Sequence, residues 1–156
     1  MVKIKQGNIL NCSENIIVHQ VNVQGIMGGG VARQLALQYP GLEKEYSKHC
    51  KELENNYKLL KGNVFFCGVS DNKTICNMFS QKPNFDTDYE AMKKALTYIK
   101  RWAENNNLSI AMPYGIGCGI ANGDWNKVYK IIEEVFSDYE VTLYKLEVSN
   151  EKNKVL

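Results

Sequence analysis

The stretch that decides the fold is Ile16-Ile17-Val18-His19-Gln20-Val21-Asn22-Val23-Gln24-Gly25-Ile26-Met27-Gly28-Gly29-Gly30-Val31-Ala32-Arg33-Gln34-Leu35-Ala36. Ile16–His19 is a continuous apolar run closed by a histidine and reads as a buried strand. Gly25–Gly30 is a glycine-rich loop. Val31–Tyr39 reads as a helix, with Val31, Leu35 and Gln38 on one stripe, Ala32, Ala36 and Tyr39 beside them, and Pro40-Gly41 as its stop. A loop placed between a strand and a helix faces the ligand crevice of an open α/β sheet. Glycines let backbone N–H groups approach an anion without Cβ obstruction. The helix that follows adds free N–H donors and the positive end of its dipole.

The same order recurs later in the chain. Leu108–Met112 reads as a strand, Pro113–Gly123 as a second glycine-rich loop, and Val128, Ile131, Ile132, Val135 and Phe136 mark a helix. Two such loops can hold the two phosphates of a pyrophosphate from opposite sides. For Gly28-Gly29-Gly30 taken alone, a purely structural turn is an equal alternative. The second loop carries Gly117-x-Gly119-x-x-x-Gly123, which resembles a dinucleotide fingerprint, but an acid is expected about 20 residues beyond it. Leu143 stands there, with no acid within two residues, so a dehydrogenase is a poor reading.

Between the loops, Leu42–Glu54 reads as a charged helix ending at Asn55-Asn56. Val64–Val69 and Thr74–Phe79 read as strands joined by a turn at Ser70-Asp71-Asn72. Thr87-Asp88-Tyr89-Glu90 matches a capping box and opens a helix with Tyr89, Met92, Leu96, Ile99 and Ala103 on one face, ended by Asn105-Asn106-Asn107. Val2–Lys5 and Val141–Leu146 complete the strands. Two consecutive strands break strict β–α alternation and favour a mixed sheet flanked by helices. Residues 1–147 are expected to form one domain and 148–156 a polar, frayed tail.

Composition narrows the function classes. The chain has 156 residues, 44% hydrophobic and 23% charged, which suits one globular domain. A net charge of 19 − 17 = +2 gives no strong nucleic-acid signal. No apolar run approaches the roughly 20 residues of a membrane span, and Met1–Gly7 has no apolar signal core. The expectation is a cytoplasmic protein without a membrane partner. Cys12, Cys50, Cys67, Cys76 and Cys118 are odd in number and lack a C-x-x-C pair. They read as reduced thiols, and with only His19 and His49 available no metal site and no cofactor are expected.

Three segments together resemble the macrodomain family: Lys5-Gln6-Gly7-Asn8-Ile9-Leu10, the His19–Ala36 stretch and Met112-Pro113-Tyr114-Gly115-Ile116-Gly117-Cys118-Gly119-Ile120. Within it, His19-x-x-Asn22, the run Gly28–Pro40 and Gly123-Asp124-Trp125 are most similar to the yeast-type ADP-ribose-1″-phosphate phosphatases and their bacterial and phage relatives. The resemblance implies a three-layer α/β/α sandwich around a central mixed β-sheet. It implies ADP-ribose as ligand, with adenine near Gly7, Asn8 and Ile9. Pyrophosphate is then expected between a first loop (Asn22, Gly25, Met27, Gly28, Gly29, Gly30, Val31, Ala32) and a second (Pro113, Tyr114, Gly115, Ile116, Gly117, Cys118, Gly119, Ile120). Ser80 and Gln81 follow a strand and are expected at the distal ribose.

Two departures matter. Many macrodomains hold the adenine amino group with an aspartate where this chain has Asn8, whose carbonyl accepts the same bond without charge assistance. A branch that frees ADP-ribose from glutamate uses a lysine and an aspartate at positions that here hold Ser80 and Ala121, so that mechanism is not expected.

Three residues are candidates for catalysis. His19 is read either as a general acid or base or as a core histidine. Asn22 is read as a ribose or water ligand, or as a loop asparagine in a left-handed conformation. Asp124 is read as the N-cap of the next helix, or as a proton-transfer group beside phosphate. Cys118 as a thiolate is a weaker candidate. The leading expectation is a metal-independent phosphatase acting on ADP-ribose-1″-phosphate. The alternatives are a non-catalytic reader of free or macromolecule-linked ADP-ribose, and an ADP-ribosyl hydrolase using a water held near Asn22.

Overall fold

The structure, a computed structural model, describes residues 1–146. Six strands form one sheet: β1 (Val2–Gln6), β2 (Ile16–Val21), β3 (Val64–Ser70), β4 (Lys73–Phe79), β5 (Ile110–Pro113) and β6 (Val141–Lys145). Their order across the sheet is β1-β6-β5-β2-β4-β3. Every neighbouring pair is parallel except β3 with β4, a hairpin closed at Asp71-Asn72. The expected mixed sheet is present. The expected polar tail lies outside the described residues.

Five helices flank the sheet: α1 (Gly30–Gln38), α2 (Leu42–Glu52), α3 (Tyr57–Leu60), α4 (Tyr89–Asn106) and α5 (Trp125–Val135). Successive side chains of a strand point to opposite faces, and β2 shows the consequence. Ile16 and Val18 pack with Met92, Leu96 and Ile99 of α4 and Val128 and Ile132 of α5. Ile17 and Val21 pack with Leu35 of α1 and Leu42, Tyr46 and Cys50 of α2. Two apolar layers on a sheet buried from both sides give the three-layer sandwich. Cys50 and Cys76 are buried within those layers as small packing residues, and burial pushes the Cys50 thiol up to about 11.

Two local readings change. The helix after Pro40 stops at Glu52, because Glu54 and Asn55 adopt left-handed backbone, and the side chain of Asn56 then caps the short α3 that the sequence pattern did not reveal. Helix α4 is capped by Asp88, whose carboxylate accepts from the N–H of Ala91, and not by Thr87 as the capping-box pattern suggests. Thr87 is buried and sends its hydroxyl to the carbonyl of Gly117 at 2.6 Å. Tertiary partners have taken the hydroxyl, which donates to Gly117 and accepts from Gln20 Nε2, whereas the local motif would have used its oxygen to accept a helix N–H.

Candidate functional site

Because β2, β4 and β5 run parallel, their carboxyl ends open on the same edge of the sheet. A cleft of about 560 Å³ lies there, as expected where loops leave parallel strands. Its walls are the two glycine loops. The first supplies Asn22, Gln24, Ile26, Gly28, Gly29, Gly30, Val31 and Ala32. The second supplies Pro113, Tyr114, Gly115, Ile116, Gly117, Gly119, Ile120 and Ala121. His19, Gln20 and Val21 form the floor, and Gln81 and Phe85 close the side above β4.

The first loop leaves amides unpaired beside this space. Helix α1 begins after Gly29 with no side-chain cap, whereas α4 and α5 are capped by Asp88 and Asp124. The N–H groups of Gly28 through Ala32 therefore find no acceptor among the described residues. In the second loop, the N–H groups of Gly115, Gly117, Gly119 and Ile120 are likewise without an acceptor among the described residues. Gly30 and Gly115 have φ of +58° and +83°, a left-handed backbone that a side chain would strain.

Both loops are held from behind. The Met27 N–H donates to Glu43 Oε2 of α2 at 2.7 Å. The Asn22 carbonyl oxygen Oδ1 accepts from the Gln24 N–H and from the buried Tyr46 hydroxyl, while Asn22 Nδ2 donates to the carbonyl of Ile26. In the second loop, the Gly117 carbonyl accepts from the Thr87 hydroxyl and from the Gly123 N–H at 2.9 Å. The Thr87 oxygen in turn accepts from Gln20 Nε2, which also reaches Ser80 Oγ at 3.0 Å. The floor, the start of α4 and the second loop are thus one network.

Removing the Tyr46 hydroxyl tests this preorganisation. Tyr46→Phe is expected to lower stability by about 1 kcal/mol in urea unfolding, and to speed amide exchange at Gln24 and Met27, whose N–H groups are hydrogen-bonded behind the loop. Exchange rates equal to those of the parent protein would show that Tyr46 does not hold the loop.

His19 is 2% exposed and sits opposite Asn77 of β4, with His19 Nε2 and Asn77 Oδ1 at 2.7 Å. Asn77 Nδ2 donates to the carbonyl of Phe65, so Asn77 Oδ1 is the acceptor and His19 Nε2 carries the proton. That leaves Nδ1 as a buried lone pair with no partner. Burial pushes the imidazole down to about 4, opposed in part by the Asn77 bond. At neutral pH the ring is uncharged and its only N–H is engaged. The expected general-acid role is therefore not supported, because the sheet that places His19 at the cleft also removes it from water.

Other expected residues fall elsewhere. Asp124 caps α5 through the Asn126 N–H, is exposed, and does not line the cleft. Ser80 is fully buried behind the cleft wall and engaged with Gln20. Cys118 lies outside the lining, and burial, reinforced by the Asp124 carboxylate, raises its thiol, which argues against a thiolate. Gly25 and Met27 are buried behind the first loop. Gly7, Asn8 and Ile9 stand beyond the cleft lining at the end of β1, where Asn8 Oδ1 accepts from the Leu10 N–H and caps a 3-10 turn.

The residues expected from sequence do not include Gln20, Val21, Gln24, Ile26, Phe85 or Ala121, which also line the cleft. Gln20 had a readable signal, as a polar residue inside an apolar strand. Phe85 had none, since its position comes from a loop tied by the Gln81↔Thr87 bridge and by Gln81 Nε2 donating to the Phe85 carbonyl at 2.8 Å. Its φ of +74° is an unusual backbone for an aromatic residue.

A three-layer α/β/α domain with an amide-lined cleft at the carboxyl edge of its sheet is the class that the fold and site define. The Macro domain family model matches residues 18–132, and the chain belongs to that family. It is similar to the ADP-ribose 1″-phosphate phosphatase of Saccharomyces cerevisiae, at 28% identity over 90% of this chain and 96% of that protein. It is also similar to the ADP-ribose glycohydrolase of Bos taurus, at 27% identity over 90% of this chain and 89% of that protein. Among solved structures, the macrodomain of Mycobacterium tuberculosis DarG matches with a TM-score of 0.80 and 26% identity, covering 92% of this chain and 97% of that one.

Proposed function

We propose that this macrodomain binds ADP-ribose and hydrolyses a derivative substituted on the distal ribose, with ADP-ribose-1″-phosphate as the leading substrate. The observation that carries the reading is the pair of facing loops whose unpaired N–H groups suit a pyrophosphate. The relatives named as a phosphatase and a glycohydrolase support hydrolysis of this ligand class. Adenine would extend past the lining toward Asn8, whose Oδ1 has a second lone pair to offer.

A second reading is a reader of free ADP-ribose or of ADP-ribosylated macromolecules. It is favoured by one observation: every side chain that lines the cleft is uncharged. Calorimetry with ADP-ribose, followed by a phosphate-release assay on ADP-ribose-1″-phosphate, separates the two. Heat of binding together with turnover is the expected result. Binding without release from any 1″-substituted derivative would favour the reader, and no binding would overturn both.

A further inference from the structure

We propose that the outer edge of β3 is a self-association surface, through which two copies of this chain pair antiparallel about a two-fold axis at Cys67 and join their sheets edge to edge. The proposal does not depend on the reaction at the cleft.

Strand β3 ends the sheet, so one side of its backbone has no partner strand among the described residues. The Asn63 carbonyl accepts from the Phe79 N–H at 3.0 Å, which turns that residue toward β4. Alternation along an antiparallel ladder turns Phe65 and Cys67 the same way, and directs the N–H and C=O groups of Val64, Phe66 and Gly68 outward. Such an edge is a template for another strand, and charged side chains or proline usually guard it. The opposite edge is guarded: β1 carries Lys3 and Lys5, and Lys3 pairs with Glu140 at 3.2 Å. Val64–Ser70 holds no charged residue and no proline.

Three features make this edge complementary to a second copy of itself. First, an axis at Cys67 sets Phe66 of each copy opposite Gly68 of the other, as a pair that exchanges hydrogen bonds. Phe66 packs against Trp102 at 4.6 Å and against Tyr98, itself 57% exposed, at 5.8 Å. Gly68 is exposed on the same face, and a Cβ there would meet nothing within 4 Å. The ring of one copy thus fills the space beside the glycine of the other, on both sides of the axis. Aromatic cover of this kind compensates a glycine at a sheet edge. Second, the same register brings the exposed Asp71 turn of each copy to the exposed Lys61 and Asn63 of the other, so opposite charges meet at both ends of the paired strands. Third, Cys67 faces its own copy as a pair without hydrogen bonds, whose Cα atoms stand about 4.5 Å apart. That spacing falls within the roughly 4.4–6.8 Å that a disulfide spans, and Cys67 is a free, half-buried thiol.

The test is sedimentation equilibrium of the full chain over a concentration series, followed by copper-phenanthroline oxidation and peptide mapping of the product. The mass of two chains is expected, with a disulfide joining Cys67 to Cys67. The variant is Gly68→Lys, which places a flexible cation in open space on its own chain and against Phe66 of the other copy. It is expected to keep the parental circular dichroism spectrum, to raise the dimer dissociation constant at least roughly 100-fold, and to abolish the Cys67 link. A one-chain mass at every concentration would overturn the proposal, and capture of an extended peptide by β3 in that monomer would assign the edge to a different partner. A dimer unweakened by Gly68→Lys would overturn it as well, as would a dimer linked through Cys12 or Cys118 and not through Cys67. If Gly68→Lys does not fold, the presence or absence of the Cys67 link in the parent protein decides alone.

Discussion

Gly123→Ala is expected to cost about 3 kcal/mol of stability and to weaken ADP-ribose binding roughly 100-fold. A Cβ on Gly123 would stand 2.4 Å from the Gly117 carbonyl oxygen and 3.3 Å from the Thr87 hydroxyl. The first of these is backbone, so no side-chain rotation relieves it. The same carbonyl accepts the Gly123 N–H and the Thr87 hydroxyl, so moving the two segments apart breaks the bonds that orient the Gly117 peptide. The amide face of the second loop then turns away from the cleft. Gly68→Ala is the control, because a Cβ there meets nothing within 4 Å and Gly68 lies on β3, away from the cleft. Its effect is expected to stay within about 0.5 kcal/mol. Urea unfolding and calorimetry measure both variants, and a Gly123→Ala protein with parental affinity would show that the second loop does not set the binding geometry.

The second large effect is acid lability centred on His19. Its folded-state pKa of about 4 lies below the ordinary 6.5, so between these values the unfolded chain binds the proton and the folded protein does not. Stability from this group is complete above about pH 6.5 and is lost as pH falls toward 4, amounting to about 3 kcal/mol for a group this deeply buried. The depressed Asp88 carboxyl contributes only at still lower pH, since its unfolded value is already near the bottom of this window. Urea unfolding at pH 7, 5.5 and 4 is expected to show the decline in the parent protein and a shallower one in His19→Asn. Parallel slopes in the two proteins would show that the His19 imidazole does not titrate as its burial requires. The same burial explains why imidazole chemistry at this site does not follow from the presence of a histidine in a cleft.

Much of the architecture was legible because it is written in local patterns. The apolar run Ile16–Val18, the face of Met92, Leu96 and Ile99, and the hairpin at Asp71-Asn72 each identify an element from near neighbours alone. The two glycine loops were legible for the same reason, since a strand, a run of glycines and a helix in sequence leave backbone amides exposed wherever the chain folds. The roles of individual side chains were less legible. Thr87 matches a capping box, yet its hydroxyl bonds to Gly117, 30 residues on. Ser80 follows a strand end, yet the Gln20 amide draws it behind the wall. These outcomes depend on which strands become neighbours.

The sequence by itself determined a mixed α/β domain with two glycine-rich loops, each set between a strand and a helix, because hydrophobic period, glycine placement and helix starts are properties of short segments. Only the tertiary structure decided what lies between those loops. The parallel register of β2 and β4 sets His19 against Asn77 and closes it off from water. The Gln81↔Thr87 bridge brings Phe85 to the cleft. Helix starts at Tyr89 and Trp125 take up the nearby aspartates as caps. Each depends on contacts between residues far apart in the chain, and together they leave an amide-lined cleft whose lining carries no Lys, Arg, Asp or Glu among the described residues.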